Sequence, residues 1–368
     1  MALLALAAAL VVVYTYVGYP LLVALWARLG PFPTAAREGF EPAVSVCMSV
    51  YNGEAEVARK VRNLQALDYP ADHIEILVFS DGSTDATRSI LEHLAAADPR
   101  VHVISSAERV GKPTALNRLA RVATGEVLLL CDVRQTVDRG ALRELVRSLS
   151  DPNVGCVSGS LVLAGATGAG VYWRYEQLIR GYEARVGRMV GVSGSLYALR
   201  RTDMAEIPGD ILLDDMFVPL RLALATGKRI VLAEAARAHD AACDDGREFG
   251  RKVRTLAGNY QLVARMPRLL VPHRNPVWFP MMSHKVLRLA CPWALALLFV
   301  ASAGRAFDGD GGDFWRVFFC AQCVFYGLAG MGSAAGRVGA LARTFVVLNA
   351  AAVVGLFRFL RGSQSVTW

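Results

Sequence analysis

Ile74-Glu75-Ile76-Leu77-Val78-Phe79-Ser80-Asp81-Gly82-Ser83-Thr84-Asp85 is the stretch that decides the fold. Its apolar first half, Ile74–Phe79, is too short and too β-branched for a helix and reads as a strand buried on both faces. Its second half is a polar turn, and the amphipathic run Asp85–Ala97 behind it reads as a helix. The same grammar repeats on either side. Upstream, Ala43–Val50 is a strand, Tyr51-Asn52-Gly53-Glu54 a loop and Glu54–Ala66 a helix. Downstream come strand Val101–Ile104, helix Thr114–Val122, strand Val127–Cys131, loop Asp132-Val133-Arg134-Gln135 and helix Arg139–Leu149. Alternating strands and helices imply a doubly wound parallel sheet, Rossmann-like, with its ligand site at the carboxyl ends of the strands. No GxGxxG or P-loop follows the first strand, which argues against a dinucleotide or P-loop nucleotide site.

Outside this core the chain is unusually apolar. Of 368 residues 54% are hydrophobic and 20% charged, with a mean hydropathy of +0.34, which excludes disordered, collagenous and small disulfide-framework classes. The net charge of +8 suits anionic phospholipid or a polyphosphate substrate. No basic run with interleaved aromatics suggests nucleic acid. Seven cysteines, several inside apolar runs, are expected as reduced thiols.

Ala2–Ala27 is uncharged and long enough to span a bilayer, and without a basic n-region it reads as a retained anchor, not a cleaved signal peptide. Leu289–Gly304 and Val317–Gly336 form a spanning hairpin around an Asp-bearing turn, and basic residues flank the central region. The positive-inside bias therefore places that region in the cytosol, as expected of an integral protein of a bacterial inner membrane. Thr344–Phe357 suits an interfacial, re-entrant or spanning helix equally, and Arg274–Met282 reads as interfacial.

An ordered series of motifs carries a resemblance: Val50-Tyr51-Asn52-Gly53-Glu54, Ser80 to Asp85, Gly111-Lys112-Pro113-Thr114-Ala115-Leu116-Asn117, Asp132, Gly194 to Arg200, Asp214-Asp215 and Arg251-Lys252-Val253-Arg254-Thr255. It resembles the membrane-integrated family 2 glycosyltransferases, the branch with cellulose, chitin and hyaluronan synthases. The resemblance implies a GT-A domain over residues 43–262, an N-terminal transmembrane helix over 1–28, and interfacial and transmembrane helices over 263–368. It also implies a UDP-sugar donor, Mg²⁺ or Mn²⁺, and inverting transfer to a lipid-linked or glycan acceptor at the membrane.

Residue by residue, it places Tyr51, Glu54, Asp81, Lys112, Asp132, Arg134, Arg251 and Arg254 around the donor. Asp132 becomes the metal ligand, Asp215 the general base and Arg254 the arginine on the leaving diphosphate. Tyr51 can stack on uracil or be a rim aromatic. Asp81 can accept the imide N–H or, with Asp85, cap a helix. Lys112 at a helix start suits phosphate. Asp214-Asp215 is an acidic pair in which repulsion raises one pKa, or simply a pair of helix N-terminal acids. Trp173 or Glu176 can line an acceptor cleft, and His239 and Asp240 can approach the metal.

Two departures matter. Arg134 stands where the family has a second metal-binding Asp, so Asp132 holds the metal with phosphates and waters, or Arg134 neutralises the diphosphate itself. Thr255 stands where processive enzymes have a tryptophan that stacks on the acceptor sugar. Single or short-chain transfer is therefore expected, with processive synthesis and a non-catalytic scaffold as the alternatives. Ser365-Val366-Thr367-Trp368 resembles part of the segment that closes over the donor in synthases.

Overall fold

Parallel pairing is what near-continuous apolar strands demand, because helices must then cover both faces. The computed structural model describes every residue except 33, 34, 38, 165–168, 242–244, 309–311 and 368. Strands β1 (Val44–Val50), β2 (Ile74–Asp81), β3 (Val101–Ser106) and β4 (Val127–Cys131) pair in parallel in the order β3-β2-β1-β4. Their register sets Val50 beside Ser80, Asp81 beside Ser106 and Cys47 beside Leu130. All four carboxyl ends therefore open on one edge.

Helices α3 (Val57–Gln65), α4 (Thr87–Ala97) and α6 (Ala141–Leu149) cover one face of the sheet, burying Val61, Leu64, Leu91 and Leu145 against Val46 and Met48. On the other face α5 (Lys112–Val122), α8 (Asp214–Thr226) and α9 (Asp245–Arg265) bury Leu116, Leu119, Leu220 and Leu262 against Phe79 and Leu128.

Beyond β4 the sheet becomes mixed, continuing β7-β6-β8-β5 through β7 (Leu196–Arg200), β6 (Val154–Ala164), β8 (Arg229–Ala241) and β5 (Thr136–Val137). The antiparallel β4–β7 pair sets Leu196 opposite Cys131. This brings the Ser193–Ser195 loop to the same edge as the loops after β1, β2 and β4.

Three helical stretches are long and apolar enough to cross a membrane: Ala2–Leu29, Trp278–Phe307 and Gly312–Leu360. The first comprises α1 (Ala2–Val13) and α2 (Tyr19–Leu29) around a π turn, and the second contains α10 (Leu287–Phe307). The third spans 49 residues, roughly 75 Å at about 1.5 Å per residue, too long for one crossing. It turns at Gly332 and Gly336, with φ of +57° and +67°, into α11 (Gly312–Met331) and α12 (Gly336–Leu360).

Helices α10 and α11 form the expected hairpin, with Phe307 on Phe319, Phe299 on Tyr326 and Gln322 Nε2 donating to Ser302 Oγ at 2.7 Å. Asp310, in its turn, lies outside the described residues. The stretch 344–357, open between three readings on sequence alone, falls inside α12. Its second half lies on α9, with Phe359 stacked on Tyr260 and Gly355 against Val253 and Ala257.

Helix α7 (Ala169–Arg185) joins the sheet domain to the apolar helices. Tyr19 donates to Glu183 at 2.6 Å, the two ring nitrogens of His284 lie 2.6 Å from Glu183 and 3.1 Å from Glu176, and Arg288 pairs with Glu176. His284 thus has a carboxylate on either side and Arg288 faces one of them, so this junction is a buried polar network.

Candidate active site

The carboxyl edge is built by loops that brace one another. Asn52, the one described non-glycine residue with positive φ (+46°), accepts the Thr84 N–H at 2.8 Å. Glu54 accepts from Ala86 N–H at 2.9 Å while its own N–H donates to Asp85 at 3.1 Å. Glu54 and Asp85 thus tie the β1 loop to the β2 loop, and the structure gives both carboxylates structural partners. Gly82, with φ +66°, lets the β2 loop meet the backbone of Glu108–Arg109, where a Cβ would lie 2.7 Å from the Arg109 nitrogen.

Asp81 is buried, and its carboxylate accepts from Val110 N–H at 2.6 Å and Gly111 N–H at 3.0 Å. It shapes the entry to α5 rather than capping α4, and these bonds occupy part of its accepting capacity. Tyr51 is 38% exposed, and the Arg109 guanidinium lies 3.7 Å above its ring. Arg109 was not legible as a site residue, because it stands in an unpatterned loop and meets Tyr51 only through the fold.

At the centre, Lys112 opens α5 and reaches across the edge. Its Nζ lies 2.8 Å from Asp132 Oδ1 and 3.3 Å from Asp214 Oδ2. Burial pulls the ammonium pKa down, but Asp132, Asp214 and Asp215 outweigh it and hold Lys112 above the ordinary lysine range. Asp214 and Asp215 begin α8, where the helix dipole favours carboxylates. Asp215 is nonetheless raised from 3.8 to about 6, first by burial and next by the Asp214 charge, with Lys112 opposing. The β7 approach closes over it: Val192 N–H donates to the Asp215 carbonyl at 3.0 Å, and a Cβ on Gly194 would sit 3.4 Å from Asp215 Oδ2.

Arg254, on α9, donates to the Leu212 carbonyl at 3.2 Å. Burial lowers its pKa while the Asp214 and Asp215 charges act against that. Arg180 on α7, which sequence reasoning passed over, is likewise lowered by burial and feels Glu183 and Asp215. Its signal was the i, i+4 and i, i+7 spacing of Glu176, Arg180 and Glu183.

Other expected residues have partners of their own among the described residues. Arg134 pairs with Asp240, which also accepts from Gln135 at 2.8 Å. Asp240 therefore meets Arg134, and His239 bonds Asp138 at 2.8 Å. Glu176 faces His284 and Arg288. Thr255 donates back to the Arg251 carbonyl at 3.0 Å along α9. Beside Arg251, Lys252 lies 5.1 Å from the Tyr172 ring. Val366 and Thr367 approach Gly111, within 3.9 Å of where its Cβ would be, so the C-terminal segment reaches the α5 entry. Trp368 is outside the described residues.

No group of three or more His, Cys, Asp or Glu able to hold a metal occurs among the described residues. Asp132, 26% exposed at its side chain, still fits a hard divalent ion of the kind held by one or two carboxylates with the remaining ligands from phosphate and water. Such an ion competes with Lys112, the cation now on that carboxylate.

Residues 45–197 match the model described as Glycosyl transferase family 2. The chain carries a family 2 glycosyltransferase domain. Similar proteins include Beta-monoglucosyldiacylglycerol synthase of Synechocystis, 30% identical over 118 residues, 32% of this chain and 25% of that protein. Glycosyltransferase AglD of Haloferax volcanii is 33% identical over 120 residues, 32% of this chain and 19% of that one. The chain thus spans a quarter or less of those two relatives. The family 2 domain and its apolar helices share the fold of the mannosyltransferase PcManGT of Pyrobaculum calidifontis, solved with GDP-Man and Mn²⁺. The TM-score is 0.79 at 24% identity, covering 98% of this chain and 100% of that one. The core is therefore a GT-A fold, and the expected α/β class stands.

Proposed function

We propose that the protein transfers one or a few sugars from a nucleoside-diphosphate sugar, UDP-linked in our reading, to a lipid acceptor at the cytosolic membrane face, with inversion. The observation that carries this is the Lys112–Asp132–Asp214–Asp215 cluster, Asp214 buried and the others half-buried, at the sheet edge of a family 2 domain. Asp215, raised to about 6, is matched to proton abstraction near neutral pH. It takes the proton of the acceptor hydroxyl as that oxygen attacks the anomeric carbon. Lys112 and Arg254 supply positive charge for the departing diphosphate. Asp132 would hold Mg²⁺ or Mn²⁺, which when bound neutralises diphosphate charge.

Two features support a membrane lipid as acceptor: the apolar helices packed on the catalytic domain, and relatives that include a Beta-monoglucosyldiacylglycerol synthase. Thr255, with no indole at that place, supports short products over a held polymer. The test is nucleotide release from a panel of UDP- and GDP-sugars, with membrane lipid extract added and withheld, followed by sizing of the labelled product. Release dependent on lipid, with a short lipid-borne product, is expected. High-molecular-weight polymer without short intermediates would refute single transfer. Orientation is read separately: Asp308→Cys should react with an impermeant maleimide in intact cells beyond the wild-type signal, and protection there would reverse the topology.

A further inference from the structure

Two cations beside the junction, Arg180 and Lys285, are poorly matched by their surroundings. Arg180 stands on α7 between Glu176 and Glu183, but those acids are already engaged, Glu183 by Tyr19 and His284 and Glu176 by His284 and Arg288. The hydrogen bond that Arg180 makes among the described residues is a long one, 3.5 Å from Nη2 to Ser158 Oγ. That oxygen already accepts the Ser193 N–H at 3.0 Å and donates to the Gly159 carbonyl at 2.8 Å. Lys285, in the 281–286 turn, has no hydrogen bond or ion pair among the described residues. Both side chains are half-buried, and neither has a nitrogen that is at once unpartnered and sealed from the surface. An incoming anion can therefore reach them.

The two cations share one place. Arg180 lies in the field of Asp215, and Lys285 in that of Arg180, with Glu176 and Glu183 common to both. Contacts trace the same route: Ser158 Oγ joins Arg180 to Ser193, and the next residue, Gly194, closes on Asp215, where a Cβ would lie 3.4 Å from Oδ2. The pair thus leads from the candidate base to Trp278–Phe307, a stretch long and apolar enough to cross a bilayer. Along it Arg180, Lys285 and Arg288 outnumber Glu176 and Glu183, and like charges brought together call for a counter-charge.

We propose that Arg180 and Lys285 hold the phosphate of a hydroxyl-bearing phospholipid acceptor and so present its headgroup hydroxyl to Asp215. The inference deepens the lipid-acceptor reading and rests on it. A guanidinium fork matches two phosphate oxygens and an ammonium takes a third as a point charge. The phosphate arrives on a lipid because Lys285 belongs to a bilayer-length stretch. Asp215 calls for a hydroxyl beside it, since an ionised phosphate oxygen has no proton for a base to remove. In the transfer the headgroup oxygen bonds to the anomeric carbon, the bond from that carbon to the diphosphate breaks, and the proton passes to Asp215. A neutral glycerolipid would leave both cations without a counter-charge.

The test uses the full-length protein in phosphatidylcholine nanodiscs doped with phosphatidylglycerol carrying a diazirine next to its headgroup, photolysed without nucleotide sugar, with adducts mapped by mass spectrometry. Adducts are expected on residues 176–184 and 281–288, suppressed by excess dioleoylphosphatidylglycerol and not by dioleoylglycerol. Arg180→Ala and Lys285→Gln should each cut that labelling about 10- to 100-fold, the worth of a charge-assisted bond, and Arg180→Lys should restore part of it. In turnover both should raise KM for phosphatidylglycerol more than they lower kcat, with KM for the nucleotide sugar unchanged. Adducts spread evenly over the protein, or undiminished in both variants, would overturn the site. Suppression by dioleoylglycerol would overturn the phosphate assignment, and transfer to the phosphate of polyprenyl phosphate in preference to phosphatidylglycerol would overturn the hydroxyl-bearing class. Labelling is read without turnover, so local adducts on a protein that transfers nothing to phosphatidylglycerol would sink the acceptor reading alone. Transfer to phosphatidylglycerol with unfocused labelling would sink this site alone.

Discussion

The carboxyl edge of the sheet and the junction with the apolar helices hold their charged groups in opposite ways. At the edge, carboxylates crowd together: Asp132, Asp214 and Asp215 share one lysine, and Asp215 is driven up to about 6. At the junction each acid faces a cation, and Glu176 is held well below the ordinary carboxylate range because Arg288 and His284 outweigh its burial. An unbalanced cluster stores a proton-accepting group, whereas a balanced one fastens two layers together. Substitutions in the two regions should therefore fail differently, one in turnover and the other in assembly.

The largest effect expected is on turnover. Asp215→Asn should lower kcat by about 10²–10⁴, the usual contribution of a positioned base, while nucleotide affinity by calorimetry stays near wild type. Full turnover in this variant would break the contrast at its catalytic end. Next comes the junction. Glu183→Ala strands Tyr19 and His284, and removing one partner of a buried pair costs about 3–5 kcal/mol. Denaturant unfolding in detergent should show the loss, and nucleotide affinity of the folded fraction should be unchanged. An unfolding midpoint equal to wild type would mean that the network fastens nothing.

Stability should respond at the edge too, with the opposite sign. Asp215 has a folded pKa of about 6 against 3.8 for a free aspartate, so the folded state binds the extra proton between those values. Stability from this group falls as pH rises through that window, by up to roughly 3 kcal/mol at about 1.4 kcal/mol per unit. Asp215→Asn should remove that dependence and be the more stable protein above pH 6. A variant less stable than wild type at pH 7 would contradict the burial account. Among the smaller effects, Tyr51→Ala should weaken nucleotide affinity only a few-fold, because Arg109 already covers the ring and an exposed cation–π pair is worth about 0.5–1 kcal/mol.

The same two regions differ in how much the sequence reveals. Strands β1 to β4 and their helices follow from periodicity, because buried parallel strands are unbroken apolar runs of the kind found at Val127–Cys131. Strand β6 does not. Gly155 and Gly159 sit in it because a Cβ at either would strike Leu222 or Leu196, at 2.3 and 2.8 Å, and glycine weakens a strand signal. Asp132, Lys112 and Asp215 are legible from motifs at loop and helix starts, where chemistry and position coincide. Arg134 was legible as a departure, but not its pairing with Asp240 across 106 residues. The junction was hidden for the same reason: Tyr19, Glu183 and His284 meet only when α2, α7 and the 281–286 turn are packed together.

The central claim is that Asp215 is a half-buried base whose proton affinity is set by its surroundings, Asp214 above all among the charges. It is tested most directly by the pH dependence of kcat/KM in wild type and Asp214→Asn, since that profile reports the free enzyme's ionisations. The wild-type profile should rise through an acidic limb near pH 6, and removing the neighbouring charge should move that limb to lower pH. A profile flat from pH 5 to 8, or a limb that stays in place when Asp214 is neutralised, would contradict it.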